Sequence, residues 1–116
     1  MSTIPLAFPS KGPKHMSETK SDKNLLRGVN AGTASGAEKV NREYRQKLHA
    51  LADRAMDNRL RRREDPEDIV QSVLGTVFRR AAQGQLHFEH TSELWRLLET
   101  VTLHKIIKHA EHHKAK

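Results

Sequence analysis

The side chains able to do chemistry fall into three groups: an acidic cluster at Asp65, Glu67 and Asp68, an aromatic flanked by histidines at His87, Phe88 and His90, and a basic run from His104 to Lys114. An enzyme is the first class to weigh. Ser, His and Asp are all present, but no Gly-flanked nucleophile, phosphate-cradling Gly loop or paired His motif with a general base occurs. The acidic cluster surrounds Pro66, and Asp before Pro with acids in the next turn is the chemistry of a helix start. Capping and dipole compensation account for these carboxylates without catalysis, so no enzyme is expected.

The histidines offer metal binding as a second possibility. His104, His109, His112 and His113 are close in sequence, and His109 and His113 at i, i+4 would share a helix face. Glu111 is the one nearby carboxylate and does not close a coordination shell, so these are read as surface imidazoles, with no metal or other cofactor. Imidazoles gain positive charge below neutral pH, which suits a phosphate partner. Lys105, Lys108 and Lys114 among them extend that chemistry to polyanions.

The whole-chain charge agrees. The 116 residues hold 21 Lys and Arg against 14 Asp and Glu, a net charge of +7 and a pI near 10.1. A basic surface draws nucleic acid through counterion release, although charge of this kind also serves solubility alone. Cysteine is absent, which excludes disulfides and thiolate zinc sites. The apolar run Ile4 to Phe8 is broken by Pro5 and is too short for a signal-peptide core or a membrane span, so cytoplasmic residence and no membrane partner are expected.

The elements that position these groups are helical. Only 4% of residues are aromatic and 35% hydrophobic, which favours an aliphatic, helix-built core. Residues 1 to 36 contain three of the four Pro and four of the six Gly, with no apolar periodicity beyond Leu25 and Leu26. They are expected to be a flexible basic tail with a short turn near Asp22 to Arg27. Residues 37 to 116 are expected to form one domain.

Its first helix should run from about 37 to 62, burying Val40, Tyr44, Leu48, Leu51, Ala55 and Leu60. The Arg59, Arg61, Arg62 and Arg63 cluster at its end either complements the helix dipole or meets a partner. A second helix starts at Asp65, buries Ile69, Val70, Val73, Leu74, Val77, Phe78 and Ala81, and stops near Gly84. A third, capped by Thr91 or Ser92, buries Leu94, Leu97 or Leu98, Val101, Ile106 or Ile107, and Ala110. The fold class is therefore all-α, a compact three-helix bundle preceded by a disordered N-terminal tail.

The segment Asp65-Pro66-Glu67-Asp68-Ile69-Val70-Gln71-Ser72-Val73 resembles the acidic, Gln-containing helix in region 2 of bacterial sigma factors of the extracytoplasmic-function type. Phe78-Arg79-Arg80, the loop with Phe88, Leu94-Trp95-Arg96-Leu97-Leu98 and Val101-Thr102-Leu103 continue the similarity over about residues 40 to 116. The resemblance implies a transcription-initiation module with RNA polymerase core as partner, Asp68, Gln71 and Arg62 meeting the clamp coiled-coil.

It further implies that the third helix and the loop before it hold the non-template strand of minus-ten promoter DNA. His87, Phe88, His90, His104, Lys105, Lys108, His109, His112 and Lys114 would be its contacts, and an anti-sigma factor would be a further partner. Phe88 and Trp95 can equally be core residues, since a lone aromatic at a bundle end usually plugs it. His104 stands where such factors commonly have Asn, and Ser72 where an acid is commoner. The 116 residues show no counterpart of the helix-turn-helix region 4, so a region 2 module alone is expected. The alternative is a helical protein-interaction regulator that mimics region 2 without binding promoter DNA.

Overall fold

The computed structural model describes residues 19–114, with side chains through His112. All regular structure among them is helical: α1 Lys20–Ala31, α2 Ala34–Ala55, α3 Asn58–Arg61, α4 Pro66–Ala82 and α5 Thr91–Lys114. The all-α expectation holds, but five helices replace the expected three.

The first correction lies at α1, where a tail and a turn near Asp22 to Arg27 were expected. Thr19 opens the helix with a capping box: the Asp22 N–H donates to Thr19 Oγ1 at 3.0 Å, and the Thr19 N–H donates to Asp22 Oδ2 at 3.1 Å. Leu25, Leu26 and Val29 then bury one face of the helix in the common core. The glycines that suggested disorder serve close packing instead. A Cβ added at Gly36 of α2 would lie 2.3 Å from the carbonyl carbon of Gly28, and one at Gly28 would lie 2.8 Å from Gly36 Cα. The two helices thus cross backbone against backbone. Gly32, which turns the chain between them, has φ +69°, and a Cβ there would sit 2.7 Å from Ala82 Cα on α4. Residues 20–36 are therefore part of the fold, and a flexible tail remains an expectation only for residues 1–18, which lie outside the described residues.

The second correction divides the expected 37–62 helix. Met56 is extended (φ −82°, ψ 131°) and buried, and Asp57 caps the short α3 by accepting the Leu60 N–H at 2.8 Å. Leu60 continues the spacing of the apolar residues before this break, which is why periodicity alone joins the two helices. Val40, Leu48 and Leu60 are buried as expected, whereas Ala55 is exposed and Ala52 and Met56 take its place.

The α4 helix follows its sequence signals closely. Asp65 is the N-cap and accepts the Glu67 N–H at 2.9 Å, Pro66 occupies the first turn, and Gly84 beyond the end has φ +72°. Ile69, Val70, Val73, Leu74, Val77 and Ala81 are buried, with Phe78 packed at the margin. In α5, Leu94, Leu98 and Ile106 are buried, and Thr102 is fully buried with its hydroxyl donating to Leu98 O at 2.7 Å. The core lies where α4 meets α1, α2 and α5. Trp95 packs against it and stacks on Tyr44 of α2, with ring centroids 5.9 Å apart and planes inclined by 22°.

Candidate polymerase and nucleic-acid interface

Two ends of the molecule carry the candidate residues. At the first, α2 finishes, α3 makes its single turn and α4 begins. Arg62 and Asp68 line a common recess of about 570 Å³ with His49, Asp53, Arg61, Arg63, Glu64, Asp65 and Pro66. Arg61 is held in place: its guanidinium donates to Asp53 Oδ1 at 3.1 Å and to Asn58 Oδ1 at 3.1 Å. Arg62 and Asp68 are exposed, and Gln71 stands one turn along α4, also exposed. Glu67 is tied to Arg45 of α2 by an ion pair, so Asp68 is the acid of that turn turned outward. The structure thus places Arg62, Asp68 and Gln71 at one end, able to offer a cation, a carboxylate and an amide to a partner helix.

The second end is the connection from Gln83 to His90. It is braced by α1, in an arrangement the sequence did not suggest. The side-chain amide of Asn30 makes two hydrogen bonds with the main chain of Phe88: the Phe88 N–H donates to Asn30 Oδ1 at 2.8 Å, and Asn30 Nδ2 donates to Phe88 O at 2.9 Å. A side-chain amide carries one donor group and one acceptor, so it can pair with both main-chain groups of a single residue, as a strand partner would. Glu93 fastens the far end of the loop, its Oε1 accepting from the Glu89 N–H at 2.7 Å and the His90 N–H at 3.3 Å.

Between these two anchors the side chains diverge. Phe88 is 7% exposed and belongs to the core, so its ring does not stand free for stacking on a base. His87 and His90 are exposed, and His87 Nε2 lies 2.9 Å from Glu89 Oε2. Beside them Lys23, Leu26, Arg27, Asn30 and Ala31 of α1 line a shallow cleft of about 490 Å³ with His87, Phe88 and Glu89. The cleft brings the cations Lys23 and Arg27 together with the carboxylate Glu89 and the apolar Leu26, Ala31 and Phe88, a grouping that the loop sequence alone does not disclose.

Along α5 the basic residues do not converge on one face. His104 and Lys108 are exposed together, and His112 is exposed a turn further on. Lys105 is half-buried at the flank, and His109 turns toward the α3–α4 connection, where its Nδ1 lies 3.0 Å from Glu64 Oε2. The Lys114 side chain lies outside the described residues, as does that of His113, so the His109–His113 pairing lies outside them too. Among the described residues no group of three His, Asp or Glu is placed to hold a metal ion. No helix among them is long and apolar enough to cross a membrane.

The fold is thus a helical bundle that exposes a cation, a carboxylate and an amide near one end and carries a backbone-anchored loop before its last helix. Residues 20–116 match the family model of the ECF sigma factors, and the chain belongs to that family. The matched region begins at the first residue of α1, so the helix that braces the loop is part of the family unit. Membership carries a sigma-factor-like role in transcription and RNA polymerase as the general partner. Neither curated proteins nor solved structures give a match to the chain.

Proposed function

We propose that the chain docks on the clamp coiled-coil of core RNA polymerase through Arg62, Asp68 and Gln71, and holds the non-template strand of minus-ten promoter DNA along the 83–90 loop and α5. The protein then works in the cytoplasm, where polymerase and promoter are. The observation that carries this reading is the outward presentation of Asp68 and Gln71 on α4, opposite its buried face, in a chain of the ECF sigma factor family. On the DNA side, His87, His90, His104, Lys108 and His112 supply exposed contacts, with Lys105, His109 and Lys114 at their flank and Phe88 as the loop's buried anchor. Phosphate contacts from the cationic side chains position the strand.

The test is recovery of core polymerase by the wild-type chain and by an Asp68→Ala, Gln71→Ala double variant. Recovery by the variant should fall by about tenfold, the loss of two charged or polar hydrogen-bonding groups from a docked face. Equal recovery by the two chains, or none by either, overturns the clamp assignment.

One observation favours a second reading, a regulator that mimics region 2 and binds protein partners, an anti-sigma factor among them, without engaging DNA. Leu103 and Ile107 are 39% and 53% exposed on the same helix as His104 and Lys108, and large apolar side chains suit a protein partner better than a phosphate backbone. A single-stranded minus-ten-like oligonucleotide separates the two, since the mimic shows no preference for it over random sequence.

A further inference from the structure

One groove of the fold has no part in the docking role above. It lies where the turn between α1 and α2 meets the end of α4, and its volume is about 390 Å³. The lining is small and apolar: Gly32, Ala34, Ala37, Ala81 and Ala82 leave a hollow beside buried Val29 and half-buried Phe78. The hydroxyl of Thr33 is already engaged, donating to Gly28 O at 3.2 Å and accepting the Gly36 N–H at 3.0 Å. Among the described residues Arg79 brings the only charged side chain to the lining. Such a surface offers burial to an apolar chain while leaving few polar groups to satisfy.

The sequence holds one apolar segment that the core described above does not contain. Ile4-Pro5-Leu6-Ala7-Phe8-Pro9 lies outside the described residues, and no charged side chain occurs among the first ten residues. Its two prolines disfavour a helix and bias the residues before them, Ile4 and Phe8, toward extended backbone. In an extended chain Ile4, Leu6 and Phe8 share one edge, so three large apolar side chains can leave water together.

The intervening chain has the right length. The ten residues from Pro9 to Thr19 reach about 33 Å when extended and average about 17 Å as a flexible coil. From Thr19 to Gly32 the chain follows α1, a span of about 20 Å. A linker whose average length matches the separation gives a local concentration in the millimolar range, so even a weak contact is populated.

We propose that residues 4–9 dock in this groove within their own chain, with Ile4, Leu6 and Phe8 against Phe78, Val29 and the alanines of α2 and α4. The segment then covers the α1–α2 turn and the end of α4. It also strengthens the hold on α1, the helix whose Asn30 braces the 83–90 loop. The proposal is independent of the docking role and stands or falls whether or not the chain binds polymerase.

The chain has no cysteine, so Thr3→Cys gives the full chain a single attachment point for a nitroxide spin label. In the labelled chain the amides of Gly32, Ala34, Ala37 and Ala82 should be broadened selectively, and dilution should leave the effect unchanged. Adding Leu6→Ser and Phe8→Ser should abolish the broadening. Ala82→Leu, which fills the groove from an exposed position, should abolish it too. With the docked form favoured about tenfold, Leu6→Ser with Phe8→Ser in the unlabelled chain should lower Tm by about 5–10 °C.

Broadening spread evenly over the molecule, or none, overturns the proposal. So does broadening centred on Lys23, Arg27 and His87, which puts the segment in the cleft beside the loop. Broadening that fades on dilution, or that passes from labelled to unlabelled chains when the two are mixed, assigns the groove to a second copy and overturns docking within one chain. Broadening that survives Leu6→Ser with Phe8→Ser, or a Tm that these substitutions leave unchanged, overturns it as well.

Discussion

Removing the Asn30 amide should detach the 83–90 loop from α1 without altering any residue of the loop. In the wild type that amide satisfies both the N–H and the C=O of Phe88, at 2.8 and 2.9 Å, in a partly buried setting. Asn30→Ala takes away both partners and leaves two main-chain groups to find water or remain unpaired. Each such bond contributes about 1 kcal/mol net, and a partly desolvated orphan raises the loss, so the change should destabilise the fold by about 2–3 kcal/mol. For a domain of this size that amounts to a fall in urea midpoint of roughly 1–2 M, or in Tm of about 10–20 °C. The fluorescence of Trp95, the only tryptophan, stacked on Tyr44, reports the unfolding.

Asn30→Asp sharpens the assignment. A carboxylate still accepts from the Phe88 N–H but faces the Phe88 carbonyl with no donor, so this variant should be no more stable than Asn30→Ala despite its near-identical shape. Hydrogen exchange separates a local from a global effect: the Phe88 amide should lose protection in Asn30→Ala by a larger factor than amides in the middle of α4. A stability change below about 0.5 kcal/mol, with Phe88 still protected, would refute the claim that α1 holds the loop.

Two further outcomes follow from the same geometry. Gly36→Ala should destabilise by about 3 kcal/mol, because its methyl meets the Gly28 peptide at 2.3–2.6 Å and backbone cannot swing aside as a flexible side chain can; thermal denaturation against wild type checks it, and a change under about 1 kcal/mol would mean that α1 slides freely on α2. If about four phosphates are neutralised on binding single-stranded DNA, affinity should fall as roughly the third power of salt concentration. A titration at several salt concentrations measures the slope, and a slope near zero would remove the basic residues of α5 from the interface.

Much of α4 was legible in the sequence because its signals are local and concordant. Asp65 and Pro66 specify the start, the apolar residues repeat at helical spacing, and Gly84 supplies the left-handed residue beyond the end. The core of α5 was legible for the same reason, apart from Thr102, whose polarity disguised a buried position satisfied by Leu98 O.

The features missed depend on contacts between distant residues. Gly28, Gly32 and Gly36 read as a flexible composition until the crossing of α1 and α2 shows that any side chain would be excluded there. The capping box of Thr19 and Asp22 was the local signal that could have revealed α1. Met56 and Asp57 interrupt a run of helix-forming residues, and their role needs the tertiary position of α3 to be seen. Asn30 and Phe88 are 58 residues apart, and no local pattern pairs them.

For the candidate site the same division holds. Asp68 and Gln71 could be placed on one side of a helix from spacing alone, and so could His104 and Lys108. The turn of His109 toward Glu64 could not, since the partner comes from the connection between α3 and α4. Nor could the contribution of α1 to the cleft beside the loop, where Lys23 and Arg27 join His87.

Both anchors of the 83–90 loop grip main chain: Asn30 holds the peptide groups of Phe88, and Glu93 holds those of Glu89 and His90. The loop's course is therefore set from outside it, leaving His87, Glu89 and His90 open to replacement without altering the path that presents them. Such a loop behaves like an interchangeable typeface in a fixed frame. New side chains can be installed at positions 87, 89 and 90 by substitution alone, while a change at residue 30, far away in the chain, would blur every version equally.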